Sequence, residues 1–162
     1  MRSINIPWIA LLLQGIPEQT AVVTLAFVIA RIPLQWKKIL LIGIVLAFIS
    51  YIVRLFPIPF GVHSFLIIIL LFIALTWLGK GDFSLSLLAS LVSFLALVIF
   101  ELVCLSLLMP VFGVTPETLF TNLLIRILIT EPQVILLLIS AFLLYKFIPK
   151  KRLEMNEFIR KY

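Results

Sequence analysis

Cysteine and histidine are almost missing from this sequence, and acidic residues are few. Cys104 is the one cysteine, so an intrachain disulfide framework is excluded, and with His63 the only histidine there is no zinc-type ligand pair. The glycines form no phosphate-binding loop, and no Ser-His-Asp set can be assembled. Soluble polar stretches are also scarce, since only 12% of residues are charged. Taken together, these absences predict a protein with no catalytic residues, no cofactor and no metal. His63 with Cys104 is the one pairing that resembles a thiol nucleophile and its base. Cys104 sits between Val103 and Leu105 with no third group to orient a base, so a helix-start histidine and a packing cysteine are the better reading.

What the sequence does contain is apolar residues, 64% of 162, with a mean hydropathy of +1.29. Soluble domains are roughly half apolar and a quarter charged, so a water-soluble fold is excluded. A membrane span takes about 20 apolar residues, which leaves room for one all-α bundle of about four to six helices and no second domain. The net charge of +6 comes from basic residues at the ends of apolar runs. That pattern carries membrane topology, and it predicts no nucleic-acid partner. Arg2 precedes an apolar run broken by Gln14, Pro17 and Glu18, with no small-residue cleavage site, so no cleaved signal peptide is expected.

Five spans emerge, forming one transmembrane domain over 1–148 followed by a short basic tail over 149–162. Ile4 to Ala30 is the first, with Pro17 predicting a kink and two half-helices as the alternative. A basic hinge from Arg31 to Lys38 carries the interfacial Trp36. Ile39 to Phe56 is the second span, the turn Pro57 to Gly61 reverses the chain, and Val62 to Leu78 is the third, closed by Gly79-Lys80-Gly81-Asp82. Phe83 to Met109 is the fourth, about 40 Å if helical throughout and so long enough to tilt. Pro110 to Pro116 ends it, and Glu117 to Ile148 is a fifth crossing, expected to kink at Glu131-Pro132. Whether Glu117 to Thr130 crosses with it or lies at the interface is open at this point.

Basic residues near span ends favour the cytoplasm. Five crossings put the Arg31 to Lys38 hinge, the Lys80 loop and the tail inside, with the N-terminus outside. The expected location is the cell membrane, multi-pass. A faint internal repeat accompanies this order: Phe60-Gly61-Val62 is echoed by Phe112-Gly113-Val114, and Pro17 precedes Arg31 by the same spacing as Pro132 precedes Lys146.

Ionisable groups at membrane depth cost about 2.5 to 3.5 kcal/mol on insertion scales, so each should face protein or water. At about 100° per residue, Ser86, Ser90, Ser93, Glu101 and Cys104 share one face of the fourth span. Gly43, Ala47, Ser50 and Arg54 do the same in the second, and Gln14, Glu18 and Ala21 in the first. The fifth opens with an i, i+4 series of Thr118, Asn122, Arg126 and Thr130. Arg54, Glu101 and Arg126 fall in the outer half, where Glu101 can pair with either arginine; Glu18 and Glu131 lie nearer mid-depth. Two readings follow. The charges neutralise one another and fasten the bundle, or they line a polar cavity open to the outer face. Candidate site residues are Glu18, Arg54, His63, Glu101, Asn122, Arg126 and Glu131.

Three stretches carry a resemblance. They are Gly15-Ile16-Pro17-Glu18, the run from Val53 through Arg54 and Pro57 to His63, and Asn122 to Leu128 followed by Glu131-Pro132-Gln133. They resemble a polytopic membrane module of Gram-positive bacteria that occurs alone or ahead of sensor histidine kinases of the quorum-sensing type. The resemblance implies a sensory or signal-receiving role with Glu18, Arg54, His63 and Arg126 as its motif positions. It departs from the fused form after Tyr145 and Lys146, where no dimerisation helix or ATP-binding domain follows, so kinase activity is not implied. The expected function is a non-enzymatic sensory or signalling accessory module in the lipid bilayer. Its expected partners are a membrane-bound sensor kinase or other membrane protein, and an apolar peptide or small-molecule ligand. The alternative is the substrate-binding membrane subunit of a small-solute uptake transporter.

Overall fold

A computed structural model describes residues 8–57, 60–78 and 82–148. The basic tail, the Lys80 loop, Arg2 and the middle of the Pro57 to Gly61 turn lie outside the described residues. The described chain is helical in the order α1 (Trp8–Ala10), a π-helical turn (Leu11–Gly15), α2 (Ile16–Ile29), α3 (Trp36–Leu55), α4 (Phe60–Leu78), α5 (Phe83–Phe112), α6 (Pro116–Thr121) and α7 (Leu123–Phe147). Five of these stretches are long and apolar enough to cross a membrane. The protein is therefore a multi-pass helical membrane protein. Its outer faces carry large apolar side chains in the open, among them Trp77, Leu124, Phe142 and Phe147. So much exposed apolar surface is stable against lipid and not against water.

The first span is a single run and not two half-helices, because α1, the π turn and α2 follow one another without a break. Pro17 has no amide hydrogen and its ring crowds the carbonyl four residues back; a wider π turn just before it relieves that crowding. Two boundaries differ from expectation. The α5 helix runs through Pro110 to Phe112 and stops at Gly113, whose φ of 61° gives the left-handed residue that closes it. Its amide and that of Val114 reach back to Pro110 and Met109, a Schellman ending. The fifth crossing is α7 alone: α6 is a separate turn, and extended Asn122 divides them. The expected i, i+4 series is thus cut, with Thr118 on one side of the break and Arg126 and Thr130 on the other.

The Phe-Gly-Val half of the repeat does not survive as structure: Gly61 lies in the opening turn of α4, whereas Gly113 terminates α5. Pro17 and Pro132 both sit inside continuous helical runs, Pro17 behind a π turn and Pro132 within α7.

The arrangement has one helix at its centre. The α2 helix packs on α3, α5 and α7 and more lightly on α4, which itself bridges α3 and α5. More than half of the first span is buried, against a third at most of any other. Val22, Val23, Ala26 and Phe27 are fully enclosed. The other spans expose most of their surface and bury one stripe each. Gly43, Ala47 and Ser50 of α3 are buried as the spacing predicts, and so are Ser86, Ser90, Ser93 and Cys104 of α5. Small residues let helix backbones approach closely, which is how helices associate in lipid. Two aromatic contacts pin the rest: Trp8 lies 5.2 Å from Tyr51, and Phe72 meets Phe83 edge-on at 4.9 Å where α4 turns into α5.

The α2 helix also ends in a Schellman motif. The Arg31 amide bonds the Val28 carbonyl and the Ile32 amide that of Phe27, with Arg31 itself at φ 56°. A non-glycine residue there costs about 1 kcal/mol or more.

Candidate functional site

The antiparallel hairpins decide where the charges go. Arg54 is in the last turn of α3, His63 near the start of α4, Glu101 in the second half of α5, Arg126 in the first turn of α7 and Glu18 in the first turn of α2. All five therefore lie in the half of the bundle away from Arg31, Lys37, Lys38 and Lys146, with Glu18 and Glu101 nearest mid-depth. Glu131 lies about one and a half turns beyond Arg126 along α7.

Glu18 is the focus of this half. It is 8% exposed, on the central helix, and feels the charges of Arg54, Glu101, Arg126 and Glu131. Arg126 feels Arg54, Glu18 and Glu101 in turn, and His63 feels Arg54. The sequence-predicted cluster is thus brought together, with Asn122 as the exception at the exposed α6–α7 junction. Among the described residues, these charges interact through space and not as closed ion pairs. Arg54 is exposed, while Glu101, Arg126 and Glu131 are half-buried. Three carboxyl groups face two guanidinium groups.

Around the charges runs a polar interior that spacing singles out only in part, since Gln19 and Gln133 lie off the expected faces. Gln14, Gln19, Thr130 and Gln133 are buried alongside Ser50 and Ser93. Most hydroxyls are satisfied by their own helix: Thr20 donates to Ile16 O at 2.7 Å, Thr24 to Thr20 O at 2.7 Å, and Thr130 to Arg126 O at 2.9 Å. Among the described residues, four groups are not. Gln19 Oε1, Gln133 Oε1, Ser93 Oγ and His63 Nδ1 are buried without a hydrogen-bond partner. Leaving such a group unmatched costs about 1 to 3 kcal/mol, so folds keep few of them. A signal for Gln19 is present in the sequence: the first span has the lowest hydropathy of the five and carries Gln14, Glu18 and Gln19 together, which marks the helix that must be screened from lipid.

His63 meets Ser50 and not Cys104. Its Nε2 lies 3.3 Å from Ser50 Oγ, across the α3–α4 hairpin. Cys104 is a buried free thiol within the packed stripe of α5. A hydroxyl–imidazole pair invites comparison with a nucleophile and its base. Two features argue against it: the separation exceeds the roughly 2.6 to 3.2 Å of working pairs, and Nδ1 has no orienting partner. Among the described residues, no three His, Cys, Asp or Glu side chains gather as metal ligands. The arrangement supplies buried charge and hydrogen-bonding groups suited to holding a ligand or fastening helices.

No protein-family model, curated protein or solved structure matches this chain.

Proposed function

We propose that the protein is a non-enzymatic receptor in the cell membrane that takes a ligand into the polar interior around Glu18 and passes the change to a membrane partner by helix packing. The observation that carries this reading is the set of unpartnered buried groups, Gln19 Oε1, Ser93 Oγ and Gln133 Oε1, around a charge cluster with more carboxyl than guanidinium groups. Acceptors predominate, so the fitting ligand is an apolar peptide or small molecule that brings hydrogen-bond donors. The central position of α2 supports transmission, because a shift of that helix is felt by α3, α5 and α7 together. The resemblance to the membrane module of sensor kinases points the same way, toward a membrane-bound kinase as the partner.

A second reading has its own support. The π turn at Leu11–Gly15 sits one turn before Glu18, and interrupted helices flanking buried polar groups are how membrane transporters build substrate sites. Under that reading the protein is the substrate-binding subunit of an uptake transporter. Crosslinking in native membranes and purification through this chain separates the two: a sensor brings down a histidine kinase, a transporter subunit an ATPase. Recovery of neither, with Glu18→Gln leaving every phenotype of the wild type intact, removes the functional reading of the cluster.

A further inference from the structure

The end of the bundle opposite the charge cluster carries a different feature. The α3 and α7 helices both pack on α2 but hardly touch each other. At the outer end the π turn fills the gap between them; at the basic end it stays open as a groove of about 280 Å³. Thr24 and Val28 of α2 form its floor, Trp36 one wall, and Ala141, Phe142 and Tyr145 of α7 the other. The Thr24 hydroxyl is turned to the Thr20 carbonyl, so the lining is apolar throughout. Trp36 and Phe142 are each about two-thirds exposed, and the groove opens on the lipid-facing surface.

Four cations lie at this same end of the bundle, next in sequence to the helix ends that frame the groove. Lys37 and Lys38 follow Trp36 in the first turn of α3, Lys146 follows Tyr145 in the last turn of α7, and Arg31 holds the left-handed end of α2. Lysines in a helix's first turn oppose its dipole, and α3 has neither an acidic residue there nor a side-chain cap. An anion at that point relieves both. Asp82, the acid at this end of the described chain, heads α5 and does not line the groove.

We propose that this groove is a site for one anionic phospholipid, with an acyl chain laid against Val28 and Ala141 and the phosphate held among Arg31, Lys37, Lys38 and Lys146. An apolar slot open to hydrocarbon with a cationic rim at headgroup level is complementary to an anionic amphiphile. Eight residues line the slot, against the roughly 20 to 30 residues a side of a stable interface between copies.

Quenching of tryptophan fluorescence by brominated acyl chains tests this in nanodiscs. Two proteins each keep one tryptophan: Trp36 in the groove, or Trp77, exposed at the same end of the bundle on α4. Phosphatidylglycerol and phosphatidylcholine, brominated alike and compared at equal mole fraction, are the probes. The expected result is a headgroup preference at Trp36 that Trp77 lacks, with each contributing cation worth a factor of about five. Ala141→Phe, which fills the slot, should abolish the preference with the charges intact. Arg31→Gln combined with Lys37→Gln and Lys38→Gln, all outside the packed core, should abolish it with the slot intact. Equal preference at Trp36 and Trp77 means diffuse attraction to a basic surface and overturns the site. Absence of quenching by either lipid at Trp36, together with a dimer mass, means that a second copy covers the groove and overturns it too.

Discussion

Gly43 of α3 and Thr20 of α2 touch so closely that a β-carbon on Gly43 would lie 2.6 Å from Thr20 Oγ1 and 3.0 Å from its Cα. A backbone atom at 3.0 Å cannot be moved aside by a rotamer change. Gly43→Ala should therefore lower stability by about 1 to 3 kcal/mol, the range of overpacking in a filled core. Adding Thr20→Ala should recover only part of this, since the Thr20 backbone still stands in the way. Thermal loss of the monodisperse protein in detergent measures both; full recovery in the double variant would place the conflict at the hydroxyl alone.

The Ser50–His63 contact ties the α3–α4 hairpin at the charged end. A double-mutant cycle of Ser50→Ala and His63→Ala should give a coupling of about 0.5 kcal/mol, the low side of a neutral hydrogen bond, because the pair is long. Zero coupling would show that the two side chains do not bond.

Glu101→Gln should change stability by less than about 1 kcal/mol, as for other partly exposed charges without a contact partner. A closed buried ion pair with Arg54 or Arg126 would instead cost about 3 to 5 kcal/mol when broken. The same thermal assay distinguishes the two.

If all five spans cross, Phe112 and Lys150 are expected on opposite faces of the membrane, since α7 separates them. In a Cys104→Ala background, single cysteines at Phe112 and Lys150 should react with an impermeant reagent from opposite sides. Reaction of both from one side removes the odd number of crossings.

Much of the fold is legible because lipid imposes simple rules. Every span is visible as an apolar run, and the buried stripe Gly43, Ala47, Ser50 is visible because small residues at helical spacing mark a close approach. The end of α5 is harder to place because Pro110 lies in the last turn, where a helix tolerates the lost bond until Gly113 turns the chain. The cut at Asn122 is hidden because a side chain of either conformation fits the i, i+4 pattern. Glu18 and Arg126 are legible as partners in one field since both are charged residues inside apolar runs. The groove is not legible at all: it arises where α3 and α7 stand apart, and periodicity says nothing about which helices fail to meet. Gln133 is easily overlooked because it stands beside Pro132, whose effect on backbone geometry is the stronger signal.

The place of α2 at the centre bears on how the protein is made. The most enclosed helix is the earliest of the spans to be synthesised, and its covering arrives piecemeal, with α7 last. Until then Glu18 and Gln19 would face hydrocarbon, in the span with the lowest hydropathy of the five. A first span that stays sheltered until its neighbours arrive, and settles on the axis with them, avoids that cost.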